Sequence, residues 1–403
     1  MHDHRKLGRE LELFGSDPLI GAGLPYWLPA GAAVRHALEE YVHAVERRAG
    51  YQHVHSPVLA KRELYELSGH WSHYRDDMFP PMRVGGEDLV LRPSLCPHHA
   101  LIYRSRGRSY RDLPLRLAEL GGMYRSEPSG VLGGLTRVRS IQLNDAHVFC
   151  PASSAAEEAA AALALIRDAY PAMGIAPARI RLSLPGAGGT YAGAPPEWDR
   201  SVALLVEALS AAGLEYEAEE GEAAFYGPKI DVQIADAAGR QSTLSTVQID
   251  FHQPERFGLE YVGADGGRHR PVMVHRSVIG SLERAVAQLV EVHGGAFPPW
   301  LAPVQLVLVP VGPEQDAAAR SLAARCVEAG LRVEVAAAEE GSVGARVHAA
   351  RLVPYVGVIG AREAAADEVA VRLRDGRRLD PLPGVEVVRE ISDRVGEHAV
   401  EVW

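Results

Sequence analysis

The stretch LPLRLAELGGMYRSEPSGVLGGLTRVRSIQLNDAHVFC, Leu113 to Cys150, decides the fold. Leu113 to Glu127 and Arg137 to Cys150 both read as long strands. The loop Pro128 to Thr136 joins them, carrying Gly130, Gly133 and Gly134, so the unit is an antiparallel hairpin with a glycine-rich tip. Upstream, Val34, Leu38, Tyr41, Val42 and Val45 fall on one face at helical spacing. They predict a helix over Ala33 to Gly50, with the glycine suited to end it. Tyr51 to Pro57 and Asp88 to Arg92 read as short strands. Downstream, Ser154 followed by Glu157 predicts a capping box for an alanine-rich helix to about Ala172, and Glu197 to Ala212 reads as a helix stopped by Gly213. Strands around Ala224 to Ile234, Gln241 to Phe251 and Arg270 to His275 lead into a helix from Val278 to about His293. This pattern of an antiparallel sheet with helices is an α+β design. Pro298, Pro299 and Pro303 then punctuate the chain. Beyond them Val304 to Val309, Glu314 to Ala329, Leu331 to Val335 and Tyr355 to Ile359 alternate strand and helix as in a small α/β domain. The expected division is residues 1–301 and 302–403.

The 403 residues suffice for two or three domains, and 47% hydrophobic with 23% charged residues is ordinary globular composition, which excludes a disulfide miniprotein and a disordered chain. Lys and Arg number 42 against 52 Asp and Glu, a net charge of −10, so a polyanionic partner must meet a local basic patch. Met1 to Gly15 is charged throughout, unlike a signal peptide, and the apolar run Val304 to Val311 is too short to span a bilayer. Cys96, Cys150 and Cys326 lie far apart, which speaks against a disulfide framework. The expectation is a cytoplasmic protein without membrane contact.

Two groups of residues carry chemistry. Tyr124-Arg125-Ser126-Glu127-Pro128-Ser129-Gly130, with Arg137 and Arg139 after the loop, sets guanidinium groups beside a carboxylate at a strand end. Arginine suits a triphosphate because its planar fork makes paired charge-assisted hydrogen bonds. A solvated surface turn fits the same spacing. Arg284, in Gly280-Ser281-Leu282-Glu283-Arg284, offers a second cation on a helix. Cys96, His147 and His275 form the other group: a thiolate and two imidazoles would suit zinc with an open fourth position. Residues so scattered are more often ordinary buried, hydrogen-bonded side chains than ligands.

The blocks Gly69-His70-Trp71, Leu91-Arg92-Pro93, Cys96-Pro97, Ser109 to Pro114, Tyr124 to Gly130, Asp145-Ala146-His147, Phe225 to Lys229, Thr246 to Phe251 and His275 to Arg284 occur in this order in threonyl-tRNA synthetases. From about Leu13 onward the chain resembles that class II family, as a short form lacking the N-terminal editing region. The resemblance implies a class II catalytic domain followed by an anticodon-binding domain. It implies activation of threonine with ATP and Mg²⁺ as an adenylate, and transfer to tRNA(Thr). It aligns Cys96, His147 and His275 with ligands of a Zn²⁺ that takes the amino and hydroxyl groups of threonine. Asp145, Tyr226 and Gln248 then line the amino acid, Arg125, Glu127, Arg137 and Arg284 bind ATP, and Arg125, Lys229 and Arg284 serve catalysis. Glu363 and Arg372 align with anticodon-reading residues, and Pro57 with the motif that forms the homodimer.

The chain departs from the family at several positions. Ile141 replaces the adenine-stacking phenylalanine, and Leu143 and Thr243 replace glutamines. Ser94-Leu95 stands before Cys96, Asn144 before Asp145, Gly133 in the loop, and His252-Gln253 replace smaller or apolar residues. Glu339-Glu340 lie where the family places basic residues. These exchanges support an alternative expectation, a paralogue that activates a threonine-like amino acid for a small molecule or carrier protein. A catalytically inactive binding protein ranks last.

Overall fold

A computed structural model describes residues 2–188, 191–236 and 239–403. Met1, the first residue of the charged N-terminal stretch, lies outside them. The chain opens with α1 (His4–Glu10) and α2 (Pro29–Arg48). Helix α2 starts four residues before the predicted Ala33 because Pro29 occupies its first turn, where the fixed φ suits a helix and no N–H is needed. It buries Val34, Leu38, Tyr41 and Val42, as the spacing predicts. Gly50 follows its end at φ +80°.

The next elements are β1 (Gln52–His53), α3 (Cys96–Arg104), β2 (Leu115–Tyr124), β3 (Ser140–Cys150), α4 (Ala155–Met173), β4 (Arg179–Leu184), α5 (Pro195–Ala211), β5 (Glu217–Glu220), β6 (Lys229–Ala235), β7 (Gln241–Asp250), β8 (Val272–Ser277) and α6 (Leu282–His293). They build one eight-stranded sheet in the order β5-β4-β6-β7-β8-β3-β2-β1. Only its outer pairs, β5 with β4 and β1 with β2, run parallel. Strands Leu59–Lys61, Met82–Val84 and Glu87–Leu91 form a separate small sheet.

The predicted hairpin is β2 and β3, paired from Leu115↔Phe149 to Tyr124↔Ser140. Three local expectations differ. Ser154 makes no capping bond, because it already lies in the helical turn Ala152–Ser154 that leads into α4. The strand expected from Ala224 begins at Lys229; Ala224 and Gly227 bridge in a tight turn that carries Phe225 and Tyr226 off the sheet. Val278 to Ser281 is not helical. Ser281 caps α6 through its side chain, and Gly280 has φ +62° with the Leu244 carbonyl oxygen 2.4 Å from where a Cβ would stand. Only glycine fits there.

After Ala302 come β9 (Leu306–Pro310), α7 (Asp316–Glu328), β10 (Val333–Val335), α8 (Val343–Ala349), β11 (Tyr355–Ile359), α9 (Ala361–Ala366), β12 (Glu368–Leu373), β13 (Leu382–Pro383) and α10 (Gly384–Gly396). Their sheet runs β10-β9-β11-β12-β13, parallel through β10, β9 and β11, and antiparallel beyond. One apolar core gathers residues between Leu13 and Ala302, and another residues between Leu306 and Val402.

Candidate active site and metal centre

The site lies across the middle of the large sheet. In successive strand pairs Lys229 faces Gln248, Gln248 faces His275, and His275 faces His147. Directly paired residues share a face, so these four form one row over β6, β7, β8 and β3. Asp145 lies two residues from His147 on β3 and therefore projects to the same side. Cys96 arrives separately, as the first residue of α3.

One ligand atom from each of Cys96, His147 and His275 lies within 4.8 Å of the other two, and all three residues are buried. Their chemistry fits a zinc ion, since one sulfur and two imidazole nitrogens are its common donors. His147 Nε2 is buried with no hydrogen-bond partner, and an unmatched acceptor of this kind suits a cation. Burial, reinforced by neighbouring His275 and His99, holds the His147 ring well below the usual imidazole range and so neutral. Burial pushes the Cys96 thiol up to about 12 despite hydrogen bonding with Ser94 and Gln253, so its thiolate needs an adjacent cation. The other two cysteines, Cys150 and Cys326, are buried and free.

Above the row is a cavity of about 490 Å³ lined by Arg125, Glu127, Arg137, Asp145, Tyr226, Lys229, Gln248, His275 and Arg284 among others. Ser94, Ile141, Leu143 and Thr243, four of the positions of departure, line it too. Arg125 follows β2 and its guanidinium carbon lies 5.9 Å from the Tyr74 ring centre, with Nε buried and unpartnered. Arg137 donates to Glu127 Oε2 at 2.9 and 2.8 Å. Arg284 donates to the carbonyls of Thr243 at 2.6 Å and Thr136 at 3.4 Å. Burial, then the charges of Arg125 and Arg137, lowers the Arg284 pKa, which is the signature of a site short of anions. Lys229 is tied to Asp231 at 2.7 Å.

Tyr226 donates to Gln248 Oε1 at 3.0 Å, and burial raises its phenol far above the ordinary value, so it stays a neutral donor. Burial also raises the Asp145 carboxyl to about 6, with His147 Nε2 3.7 Å from its Oδ2. The cavity therefore pairs a cationic end with a compact polar end over the Cys-His-His cluster.

Sequence reasoning missed Tyr74, for which a lone aromatic in a loop gives no signal, and the outer contacts of the cluster. Gln253, noted only as a departure, donates to Cys96 Sγ at 3.3 Å. Asn144, another departure, is structural: its amide donates to Glu46 at 2.7 Å and its Oδ1 accepts from Val278 N at 2.9 Å. In the C-terminal unit, Arg372 lines a cavity of about 460 Å³ with His348, Arg351, Arg374 and Arg378. Glu363 instead folds back onto its own helix start, accepting from Gly360 N at 3.0 Å.

An antiparallel sheet that carries arginines around a cavity at its centre, followed by a small α/β unit, defines a class II tRNA synthetase. The family model for the tRNA synthetase class II core domain (G, H, P, S and T) matches residues 81–293, and that for an anticodon binding domain matches residues 305–394. A threonine–tRNA ligase of Halalkalibacterium halodurans is 48% identical over 395 residues, covering 97% of this chain and 61% of the relative. Threonine–tRNA ligase 1 of Bacillus subtilis is 48% identical over 375 residues, covering 92% of this chain and 58% of the relative. The chain thus spans about three-fifths of the length of these relatives. A solved structure described as the RNA binding domain of threonyl-tRNA synthetase from Cryptosporidium parvum superposes with TM-score 0.92 at 33% identity, covering 97% of this chain and 98% of that one. The chain belongs to the threonyl-tRNA synthetase family.

Proposed function

We propose that the protein activates L-threonine with ATP as threonyl adenylate and transfers it to tRNA(Thr). The observation that carries this is the joining, in one cavity, of an arginine-rich end with Asp145, Tyr226 and His275 beside the Cys96-His147-His275 cluster. ATP enters with Mg²⁺. Arg125 holds the α-phosphate and the amino-acid carboxylate together, Arg137 and Glu127 flank the nucleotide, and Arg284 meets the outer phosphates and base. Lys229 and Gln248 line the adenylate. The carboxylate attacks the α-phosphorus in line, the bond from that phosphorus to the α–β bridging oxygen breaks and pyrophosphate leaves. The tRNA hydroxyl then takes the threonyl group and AMP departs, with positioning and charge neutralisation lowering the barrier without a protein nucleophile. Asp145 accepts from the threonine hydroxyl, and Tyr226 lies near the amine. Cys96, His147 and His275 would hold zinc, which supplies a Lewis acid for the amino and hydroxyl groups. A site built for a hydroxyl rejects valine strongly, because valine leaves its polar partners unmatched.

Residues 1–301 serve as the catalytic domain and residues 302–403 as the anticodon-binding domain. There Arg372 contacts a base, and Glu363 does so by releasing the Gly360 N–H that it accepts from in the free protein, with the surrounding arginines drawing the RNA in locally although the whole chain is acidic. A second copy pairs along α2 and β1. That strand is two exposed residues at the sheet edge, with Pro57 exposed just beyond it. Among the described residues no helix is long and apolar enough to cross a membrane, and a cytoplasmic location suits tRNA charging.

Pyrophosphate exchange with a panel of amino acids, followed by charging of tRNA(Thr) transcript, tests the reading. Threonine-dependent exchange and charging are expected. Exchange without charging would favour transfer to another acceptor, and no exchange with any amino acid would overturn the activity.

A further inference from the structure

We propose that His99, held by Glu119 and Arg92, is the positioning residue that aims His147 at the metal. This rests on reading Cys96, His147 and His275 as a zinc site, and concerns a buried chain of side chains behind it. His99 is fully buried on α3, three residues after Cys96. Its Nδ1 lies 2.7 Å from His147 Nδ1, and its Nε2 lies 3.2 Å from Glu119 Oε2. The two rings meet edge to face, 4.7 Å between centres and 88° between planes.

The proton positions follow from the far end of this chain. Glu119 also accepts from Ser56 N at 3.1 Å, Ser56 Oγ at 2.6 Å and Arg92 Nη2 at 3.0 Å. Burial pushes its carboxyl up, but the hydrogen bonds from His99 and Ser56 and the Arg92 charge outweigh this and hold it down at about 2. Glu119 is therefore an acceptor only. The bond to Glu119 makes His99 Nε2 the donor and leaves its Nδ1 to accept, since the hydrogen bond at one ring nitrogen sets the role of the other. The proton shared with His147 then belongs to His147 Nδ1. What remains on His147 is a lone pair at Nε2, the atom that is buried and without a hydrogen-bond partner.

The anchor is rigid. Arg92 is fully buried and also donates to Gly122 O at 2.5 Å and Ser56 Oγ at 2.7 Å. A Cβ at Gly121 would stand 2.6 Å from Arg92 Nη2 and 2.8 Å from Glu119 Oε1, so the bare backbone there makes room for the pair. The remaining ligands have their own outer partners: His275 Nε2 faces Asp250 Oδ2 at 2.9 Å, and Gln253 donates to Cys96 Sγ. A buried ion pair that only filled the core would not need an imidazole placed between it and a metal ligand.

The test measures zinc itself, by competition with a chromogenic chelator, on the wild type, His99→Leu, His99→Gln and Glu119→Gln. The wild type is expected to hold one zinc per chain, and His99→Leu to bind it about 10- to 100-fold more weakly, the usual loss when an outer partner is removed. The glutamine in His99→Gln can accept from His147 and donate to Glu119, so that variant is expected to recover most of the affinity. Glu119→Gln should lose several-fold. The rise in melting temperature on adding zinc to the stripped protein should shrink in the same order, a readout that a purely structural role would not move. If His99→Leu fails to fold, Glu119→Gln and His99→Gln carry the comparison. Stoichiometric zinc with unchanged affinity in these variants would overturn this proposal alone. A wild type without zinc would overturn the metal reading and this proposal with it.

Discussion

Replacing Glu46 by glutamine tests whether the strands beneath the candidate site are held by charge. Glu46 lies on α2 and is fully buried. It accepts from Arg276 Nη1 at 2.6 Å, Asn144 Nδ2 at 2.7 Å and His53 Nε2 at 2.7 Å. Arg276 follows His275 and Asn144 precedes Asp145, so this carboxylate ties the helix to both strands that bear the cluster. Arg276 is itself 1% exposed, stacked 4.0 Å over Tyr51, with Nε and Nη2 unpartnered. Removing its one anion leaves a buried guanidinium uncompensated, which costs about 3–5 kcal/mol.

A second route gives the same size. Burial raises the Glu46 carboxyl, but Arg276 and the three hydrogen bonds outweigh it and bring the pKa from 4.5 down to about 2. That depression corresponds to roughly 3 kcal/mol of stability at about 1.4 kcal/mol per unit. Because the folded value lies below the unfolded one, this stability is present above about pH 4.5 and is lost as pH falls toward 2. Urea unfolding at pH 7, followed by tryptophan fluorescence, should show Glu46→Gln destabilised by this amount, with a flatter decline between pH 5 and 3. Glu46→Leu combined with Arg276→Leu should recover much of the loss, since apolar side chains can replace a buried pair at little cost. A loss below about 1 kcal/mol, the scale of an exposed pair, or a double variant no better than Glu46→Gln would refute the electrostatic account.

Three further outcomes are expected. Arg125→Lys keeps the charge but loses the fork, so pyrophosphate exchange should fall about 100-fold with the unfolding midpoint unchanged; equal exchange would remove Arg125 from the chemistry. Burial raises Glu283 from 4.5 to about 7, above its unfolded value, so the protein loses stability as pH rises through that window. Glu283→Gln should abolish this loss, seen as urea midpoints that no longer fall between pH 5 and 8. Arg372→Ala should weaken charging and lower the salt dependence of tRNA binding by about one phosphate contact, while amino-acid activation stays intact; equal loss of both would place Arg372 outside RNA reading.

The hairpin and the long helices were legible because their signals are local: alternation and a glycine-rich loop for β2 and β3, a four-residue apolar spacing for α2. Ser154 and Val278 show where local signals mislead, since a turn packed before α4 removed the cap and a close carbonyl at Gly280 delayed α6. No strand was expected at β4 or β5. Their polar residues Arg179, Arg181, Glu217 and Glu219 pair with one another across the sheet, so the charges that hide a strand from hydropathy are what hold it. Helices α8 and α9, seven and six residues long, offer too few turns for a period to emerge.

The cluster itself illustrates a different limit. Cys96, His147 and His275 are separated by 51 and 128 positions in the chain, so no spacing rule brings them together; the strand register does. Once β3 pairs with β8 at His147↔His275, a shift of one residue on either strand would turn one imidazole to the opposite face. The register is in turn set by partners that look unrelated to chemistry: Glu46 binding Arg276 and Asn144, and Glu119 binding Arg92 through β2. In a sequence, these are a helix carboxylate, an arginine beside a proline and an asparagine at a position of departure. Each is buried because its partner is, and neither half of such a pair announces itself alone. Most residues proposed to meet the substrate were thus named through the family resemblance, whereas those that hold them in register required the sheet.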